Sequence, residues 1–162
     1  MDSQLASNLE KMLMDGRGYV EVDDGKPSGE FHEKLFVAPS GKIAMTVVLT
    51  SMVGLKKYSK YIEGDSYEVV IVIYFGSVTL YHRALEKTLK HKIEIWSSEQ
   101  LLVNPTTHVL CPKIEVVPKL SCQYQIPKIS FYDPLMRYFR IKPKTILKVT
   151  NVDGWVSFRR VV

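Results

Sequence analysis

The chain has 162 residues and a formal net charge of +5, with 46% of its residues hydrophobic and 24% charged. This balance is typical of a soluble globular protein and excludes a disordered or low-complexity chain. No window of the sequence approaches the ~18 consecutive apolar residues that a membrane-spanning helix requires. The polar N-terminus also lacks the apolar core of a signal peptide.

Helical and strand patterns follow one another over the first hundred residues. Residues 3–15 predict a helix, because four apolar residues recur at helical spacing before Gly16. Strands are predicted over residues 42–53, 67–75 and 92–96, and the last of these alternates, so one of its faces should lie in water. A second helix is predicted over residues 80–90. The polar segments 23–29 and 54–64 are predicted to be connections.

The pattern changes over residues 102–118. Three prolines fall here, and each removes a backbone donor and disfavours helix: Pro105, Pro112 and Pro118. We therefore predict a domain boundary, with an N-terminal domain over residues 1–103 and a C-terminal domain over residues 104–162.

The C-terminal domain is predicted to be rich in strands. A short strand over residues 126–130 precedes a helix that begins at Asp133 and Pro134, where the carboxylate caps free amides and proline occupies the first turn, and runs to about residue 139. Strands over residues 145–150 and 155–161 form a hairpin around the turn 151–154. The fold class is therefore α+β: an N-terminal α/β domain followed by a small β-rich domain with one short helix.

No group of residues in the sequence resembles a catalytic site. Ser97 and Ser98 lack the glycine-flanked turn of an activated nucleophile. His108, Cys111 and Cys122 supply three of the four ligands that a closed zinc site needs. The alternative is a packed or hydrogen-bonded histidine and two thiols of a reducing compartment. We expect no catalytic residue, no metal and no cofactor.

Two basic clusters are candidates for binding. Lys56, Lys57 and Lys60 interleave with Tyr58 and Tyr61, a mixture that suits a nucleic-acid backbone, although a solvated loop has the same composition. A second cluster could meet DNA or an acidic protein surface. It comprises Arg137, Arg140, Lys142, Lys144, Lys148, Arg159 and Arg160.

Three stretches of the last third carry a specific set of motifs. Residues 106–117 match H-x-L-V-P-K-H through His108, Leu110, Pro112 and Lys113. Residues 126–149 match a longer pattern through Pro127, Ile129, Asp133, Pro134, Arg137, Tyr138, Lys142 and Lys148. Residues 154–159 are similar to a closing G-R-Y-x-x-Y-R strand. In these motifs the chain resembles the fifth subunit shared by the eukaryotic RNA polymerases and its smaller archaeal counterpart.

The resemblance extends more loosely to residues 9–24 and 85–108, and it implies a non-catalytic subunit of a multisubunit DNA-dependent RNA polymerase. The C-terminal domain would anchor to the largest subunit, and an N-terminal jaw domain would lie near downstream duplex DNA, with Lys56, Lys57 and Lys60 facing it. No membrane partner is implied. The implied assembly residues are His108, Pro112, Pro127, Ile129, Asp133, Pro134, Arg137, Tyr138, Lys148 and Arg159. Of these, Pro127, Ile129 and Tyr138 are expected to form the exposed contact.

The sequence also departs from the family. Ile114 replaces the second histidine of the first motif, and residues 117–126 are too few for the helix that is usual there. Such trimming fits a virus that encodes its own polymerase, and a divergent cellular paralogue is the alternative. The protein is expected in the nucleus, or in the cytoplasm or virion if it is virus-encoded. The alternative function is a stand-alone nucleic-acid-binding or transcription-regulating protein that carries a polymerase-subunit-like domain.

Overall fold

A computed structural model of the chain describes residues 3–22, 33–50, 55, 66–118 and 125–162. The chain divides into two compact units, Met1–Val103 and Asn104–Val162. The first contains a five-stranded sheet and the second a four-stranded sheet, each accompanied by short helices. The predicted α+β fold class is confirmed. Among the described helices, none is long and apolar enough to cross a bilayer.

The first unit is built on a mixed sheet with strand order β1-β2-β3-β4-β5. The first three strands are antiparallel, and β3, β4 and β5 are parallel. Its elements are α1 (Ser3–Lys11), a π-helical turn (Met12–Gly16), β1 (Val20–Val22), β2 (Glu33–Val37), β3 (Ile43–Leu49), β4 (Tyr67–Tyr74), α2 (Leu80–Thr88), β5 (Ile93–Ser97) and α3 (Ser98–Leu102).

The predicted helices and central strands of this unit are confirmed with shifted ends. Helix α2 ends at Thr88 because Lys90 and His91 adopt positive φ angles of 52° and 57°, which a helix cannot continue through. Strands β1 and β2 were not predicted, since β1 has only three residues and polar and apolar residues do not alternate along β2, and β1 is exposed throughout. The predicted loop over residues 23–29 lies outside the described residues, as do residues 51–53 and all of the segment 54–64 except Leu55.

Both faces of the three parallel strands of the first sheet, β3, β4 and β5, are covered over most of their length. On one face a buried cluster includes Ile93 and Ile95, and Leu85 and Leu89 from the α2 side pack against it. Because successive residues of a strand point to opposite faces, Glu94 lies on the other face, where it meets Arg17. The prediction that β5 has one face in water is therefore wrong: all five of its residues are buried. Polar and apolar residues alternate in β5 because Glu94 forms a buried ion pair, and not because one face of the strand meets solvent.

The second unit has strand order β6-β8-β9-β7, with β7 parallel to β9 and the other pairs antiparallel. The helix and the hairpin predicted here are confirmed. Strand β6 was not predicted, because the prolines that flank it dominate the local pattern. The elements are a 3-10 turn (Pro105–Thr107), β6 (Lys113–Val117), β7 (Lys128–Ile129), α4 (Pro134–Tyr138), β8 (Ile146–Thr150) and β9 (Val156–Val161).

The core of the second unit lies on one side of this sheet. Phe131 and Met136, from the segment that contains α4, pack with Leu147 and Val161 of the sheet. Strand register assigns the other side to residues that alternate with these core positions. We call that side the open face; it consists of Lys113, Glu115, Val117, Lys128, Ile146, Lys148, Thr150, Val156, Phe158 and Arg160. Ile146 on this side is buried, and the other residues are half-buried or exposed.

Candidate assembly surface

The segment that leads into the second unit, residues 104–112, is held by local hydrogen bonds. The Asn104 side chain accepts from the Thr106 backbone N–H at 2.9 Å and from its hydroxyl at 2.7 Å. His108 is exposed, and its Nδ1 accepts from the Leu110 N–H at 3.1 Å. Pro112 is half-buried at the start of the sheet. This lead-in segment thus presents His108 on a fixed turn.

The described residues contain no group of three His, Cys, Asp or Glu side chains that could hold a metal. Cys111 is half-buried as a free thiol, and Cys122 lies outside the described residues. The ring of His108 is instead involved in the turn just described. Of the two interpretations of His108 in the sequence, the structure of the described residues favours the hydrogen-bonded histidine.

Helix α4 begins as predicted. The Oδ1 of Asp133 accepts from the Leu135 N–H at 3.0 Å and from the Met136 N–H at 3.5 Å, and Pro134 occupies the first turn. This cap satisfies amides that a helix leaves without intrahelical partners. It fixes the five-residue helix that carries Arg137 and Tyr138.

The expected exposed contact around Pro127, Ile129 and Tyr138 does not exist as one surface. Tyr138 is only 5% exposed and Arg137 only 4%, because α4 packs on the sheet and turns both side chains inward. Ile129 is half-buried against the core, and only Pro127 is exposed. Arg137 and Tyr138 therefore maintain the fold of this unit, and replacing Tyr138 would open a cavity rather than cleanly remove a contact.

Lys148 and Arg159 lie on opposite sides of the sheet. Arg159 pairs with Leu147 and is half-buried on the core side. Lys148 lies on the open face, where its ammonium is 3.3 Å from a carboxylate oxygen of Glu115. The ten predicted assembly residues are thus divided among the lead-in segment, the α4 core and the two sides of the sheet.

The open face combines basic and apolar groups. Glu115, Lys148 and Phe158 form one row across three strands. Lys113 lies 2.9 Å from Glu115, and hydrogen bonds from Lys113 and then Lys148 hold the pKa of the Glu115 carboxyl below its ordinary value. The same bond to Glu115 raises the pKa of Lys113. Phe158 and Val156 remain 40% and 43% exposed beside these charges.

The turn that joins β8 and β9 extends this surface. Asn151 donates its N–H to the Trp155 carbonyl at 2.9 Å, and Trp155 donates its own N–H to Asp153 at 3.1 Å. The tightened turn leaves Trp155 68% and Val152 63% exposed. Sequence reasoning predicted this hairpin but did not identify its apolar side chains as functional, although an exposed tryptophan is a common interface signal.

The turn around Gly18 lies within residues 9–24, to which the resemblance loosely extends, and it has a structural role. Arg17 Nη2 lies 2.8 Å from Glu94 Oε2, and the Trp96 indole N–H donates to the same oxygen at 3.3 Å. Gly18 adopts φ +67°, a conformation that favours glycine, and Tyr19 donates its hydroxyl to Glu68 at 3.0 Å. The predicted DNA-facing lysines, Lys56, Lys57 and Lys60, lie outside the described residues.

Comparison with known proteins gives three relatives, and no family model matches. Protein 454R of Invertebrate iridescent virus 6, assigned as a DNA-directed RNA polymerase subunit, is 27% identical over 177 aligned positions, covering 94% of this chain and 96% of the relative. The chain is similar to DNA-directed RNA polymerase subunits. The resemblance to such a subunit stated from the sequence is thereby confirmed.

Two plant relatives match shorter stretches. Subunit 5B of RNA polymerases IV and V of Arabidopsis thaliana is 35% identical over 72 residues, which cover 38% of this chain and 33% of the relative. Subunit 5C of RNA polymerase V from the same plant is 29% identical over 89 residues, covering 46% and 38%. Both plant proteins bear the number of the fifth polymerase subunit, to which the C-terminal motifs pointed.

Proposed function

We propose that this protein is a non-catalytic subunit of a multisubunit DNA-dependent RNA polymerase. The observation that carries the proposal is the alignment with the viral polymerase subunit over 94% of this chain and 96% of that one. An alignment of this extent spans both compact units, so the proposal covers the whole chain rather than a borrowed domain.

The C-terminal unit, residues 104–162, anchors the protein to the largest polymerase subunit. Two features support this role. The unit has its own buried core around Leu147 and Met136, so it offers a preformed surface. It also exposes apolar side chains beyond that core, and such side chains mark interfaces when they cluster.

The N-terminal unit belongs to the jaw that holds downstream duplex DNA. Lys56, Lys57 and Lys60 face the duplex in this proposal, and the net charge of +5 supports an attraction to phosphate. The contact is with the DNA backbone, so it is independent of sequence and weakens with salt.

Co-purification tests the proposed function. The full-length chain, tagged at one end, is isolated from cells or infected cells that make its cognate polymerase, and quantitative mass spectrometry measures subunit ratios. We expect one copy per copy of each of the two largest polymerase subunits, in the nucleus, or in cytoplasmic factories or virions for a virus-encoded enzyme. A stand-alone regulator would be recovered without the polymerase or at a small fraction of its amount, and that result would overturn the proposal.

A further inference from the structure

The side of the C-terminal unit that docks on the polymerase can be identified from its sheet. We infer that the open face, together with Trp155 and Val152 at the hairpin turn, is the docking surface, and that its partner is an acidic, partly apolar surface of the largest polymerase subunit. This inference rests on the proposed function and specifies the partner chemistry.

Burial of the motif residues is the first reason. Arg137 and Tyr138 are turned into the core of the unit, and Ile129 and Leu135 pack against that core. Most of the α4 side of the sheet is thus occupied by the protein itself, and of its apolar strand residues only Val116, at the edge strand β6, is largely exposed, at 67%. The opposite side is the open face, and it can meet a partner without rearranging α4.

The apolar groups available there are the second reason. Phe158 and Val156 lie on the open face, and Trp155 is exposed at the adjoining turn. Tryptophan and other aromatic side chains carry much of the energy of protein interfaces when a partner covers them. The β8–β9 hairpin holds these groups on paired strands, so little conformational entropy is lost when they dock.

Charge specifies the partner. The open face carries four cationic side chains, Lys113, Lys128, Lys148 and Arg160, and one carboxylate, Glu115, which gives 4 − 1 = +3. Lys113 and Lys148 share the single carboxylate of this face, that of Glu115, so the positive charges of the face outnumber its negative charge. A surface of this sign around aromatic side chains fits acidic residues that surround an apolar patch.

Two pairs of substitutions in the proposed docking surface, each with a matched control pair elsewhere in the full-length chain, test the inference by the co-purification assay. Lys128→Glu with Lys148→Gln lowers the net charge of the open face by three, and Lys142→Glu with Lys144→Gln makes the same change in the exposed loop after α4. Trp155→Ser with Phe158→Thr removes the aromatic groups. Val109→Ser with Leu110→Ser makes the same kind of change in the lead-in segment, where both residues are exposed. Circular dichroism verifies that each variant is folded.

We expect both open-face pairs to reduce recovery of the largest subunit by about tenfold or more, because aromatic anchors and complementary charges carry much of the binding energy of an interface. The charge pair should also flatten the dependence of binding on salt. The loop pair and the lead-in pair should remain within about twofold of the parent. If both open-face pairs co-purify at full stoichiometry, or if the lead-in pair alone releases the protein, docking lies elsewhere and the inference is wrong. The proposed function fails separately, if the unmodified chain does not co-purify.

Discussion

Short polar side chains decide where several elements of this protein begin. Asp133 caps α4, and Ser97 caps α3, where its hydroxyl accepts from the Gln100 N–H at 3.2 Å while the Gln100 side chain accepts from the Ser97 N–H at 3.2 Å. The Asn104 side chain caps the 3-10 turn by accepting from the Thr106 N–H. Each uses the groups that a helix leaves unpaired at its start, so single residues set the element boundaries.

The cap at Asp133 allows a direct measurement. Asp133→Ala should lower the free energy of unfolding of the C-terminal unit by about 1 kcal/mol, because the Leu135 and Met136 amides lose their acceptor. Asp133→Asn should cost much less, since asparagine also caps. Thermal unfolding and hydrogen exchange at these two amides report the change. Equal and larger losses for both variants would show that the charge of Asp133 has another partner.

The ion pair between Arg17 and Glu94 is a second single-residue feature. Both side chains are almost completely buried, at 2% and 6% exposure. Arg17→Met should cost about 3–5 kcal/mol, because it leaves a carboxylate buried without its cation. The double variant Arg17→Met with Glu94→Leu should recover most of that loss.

Urea unfolding of the full-length chain measures this effect. Trp96 and Trp155 are the two tryptophans and lie in different units, so Trp155→Phe gives a background in which fluorescence reports the first unit. Glu94→Leu is measured alone as well; if the losses of the two single variants simply add in the double variant, the two side chains are not coupled and the expected recovery is wrong.

At the scale of elements, α2 protects an edge of the first sheet. β5 is the last strand, and its Ile95 N–H donates to Glu86 Oε1 at 2.5 Å, while the Ile95 carbonyl accepts from Arg83 at 3.2 Å. Arg83 also pairs with Glu86 at 3.1 Å. These two side chains take the place of the backbone of a sixth strand, so the described part of this edge cannot readily pair with another chain.

Removing this protection should expose the edge. Glu86→Ala is expected to cost about 2–3 kcal/mol, because a buried N–H and the Arg83 guanidinium lose a charged acceptor. It should also promote self-association, which light scattering at increasing protein concentration would detect. Glu99→Ala, at an exposed carboxylate of the neighbouring α3, is the control. Equal stability and equal scattering for the two variants would mean that Glu86 does not protect the edge.

At the scale of the whole molecule, the proposal assigns different partners to the two units. Under this proposal, the C-terminal unit would contact protein through the open face, and the N-terminal unit would lie near DNA. Substitutions in one unit should therefore leave the role of the other intact, which allows assembly and DNA contact to be measured separately.

The jaw lysines test this separation. Replacing Lys56, Lys57 and Lys60 with glutamate should leave polymerase assembly intact and shorten the lifetime of elongation complexes, more at low salt than at high salt, because salt already screens a backbone contact. Replacing Lys11, Lys87 and Lys90 with glutamate changes the charge of the first unit equally and is the control. If the first triple variant transcribes like the parent at every salt concentration, these lysines only keep their segment soluble.

Features that depend on neighbouring residues could be predicted from the order of amino acids. Hydrophobic periodicity predicted α1, α2, β4 and the β8–β9 hairpin, and the pair Asp133-Pro134 predicted the start of α4. Strand β1 escaped prediction because three residues carry little periodicity, β2 because polar and apolar residues do not alternate along it, and β6 because prolines flank it. The polymerase relationship was also available from the sequence, since it depends on the order of motifs rather than on which side chains are buried.

Which of these residues are exposed could not be predicted in the same way. Arg17 and Glu94 are 77 positions apart, so nothing local indicates that the alternation of β5 conceals a buried ion pair. Tyr138 and Arg137 carry the motif but are buried, because α4 packs on the core side of the sheet. Burial depends on what each face meets, and those contacts come from residues distant in the chain. The open face became visible for the same reason: strand pairing places Glu115, Lys148 and Phe158 side by side.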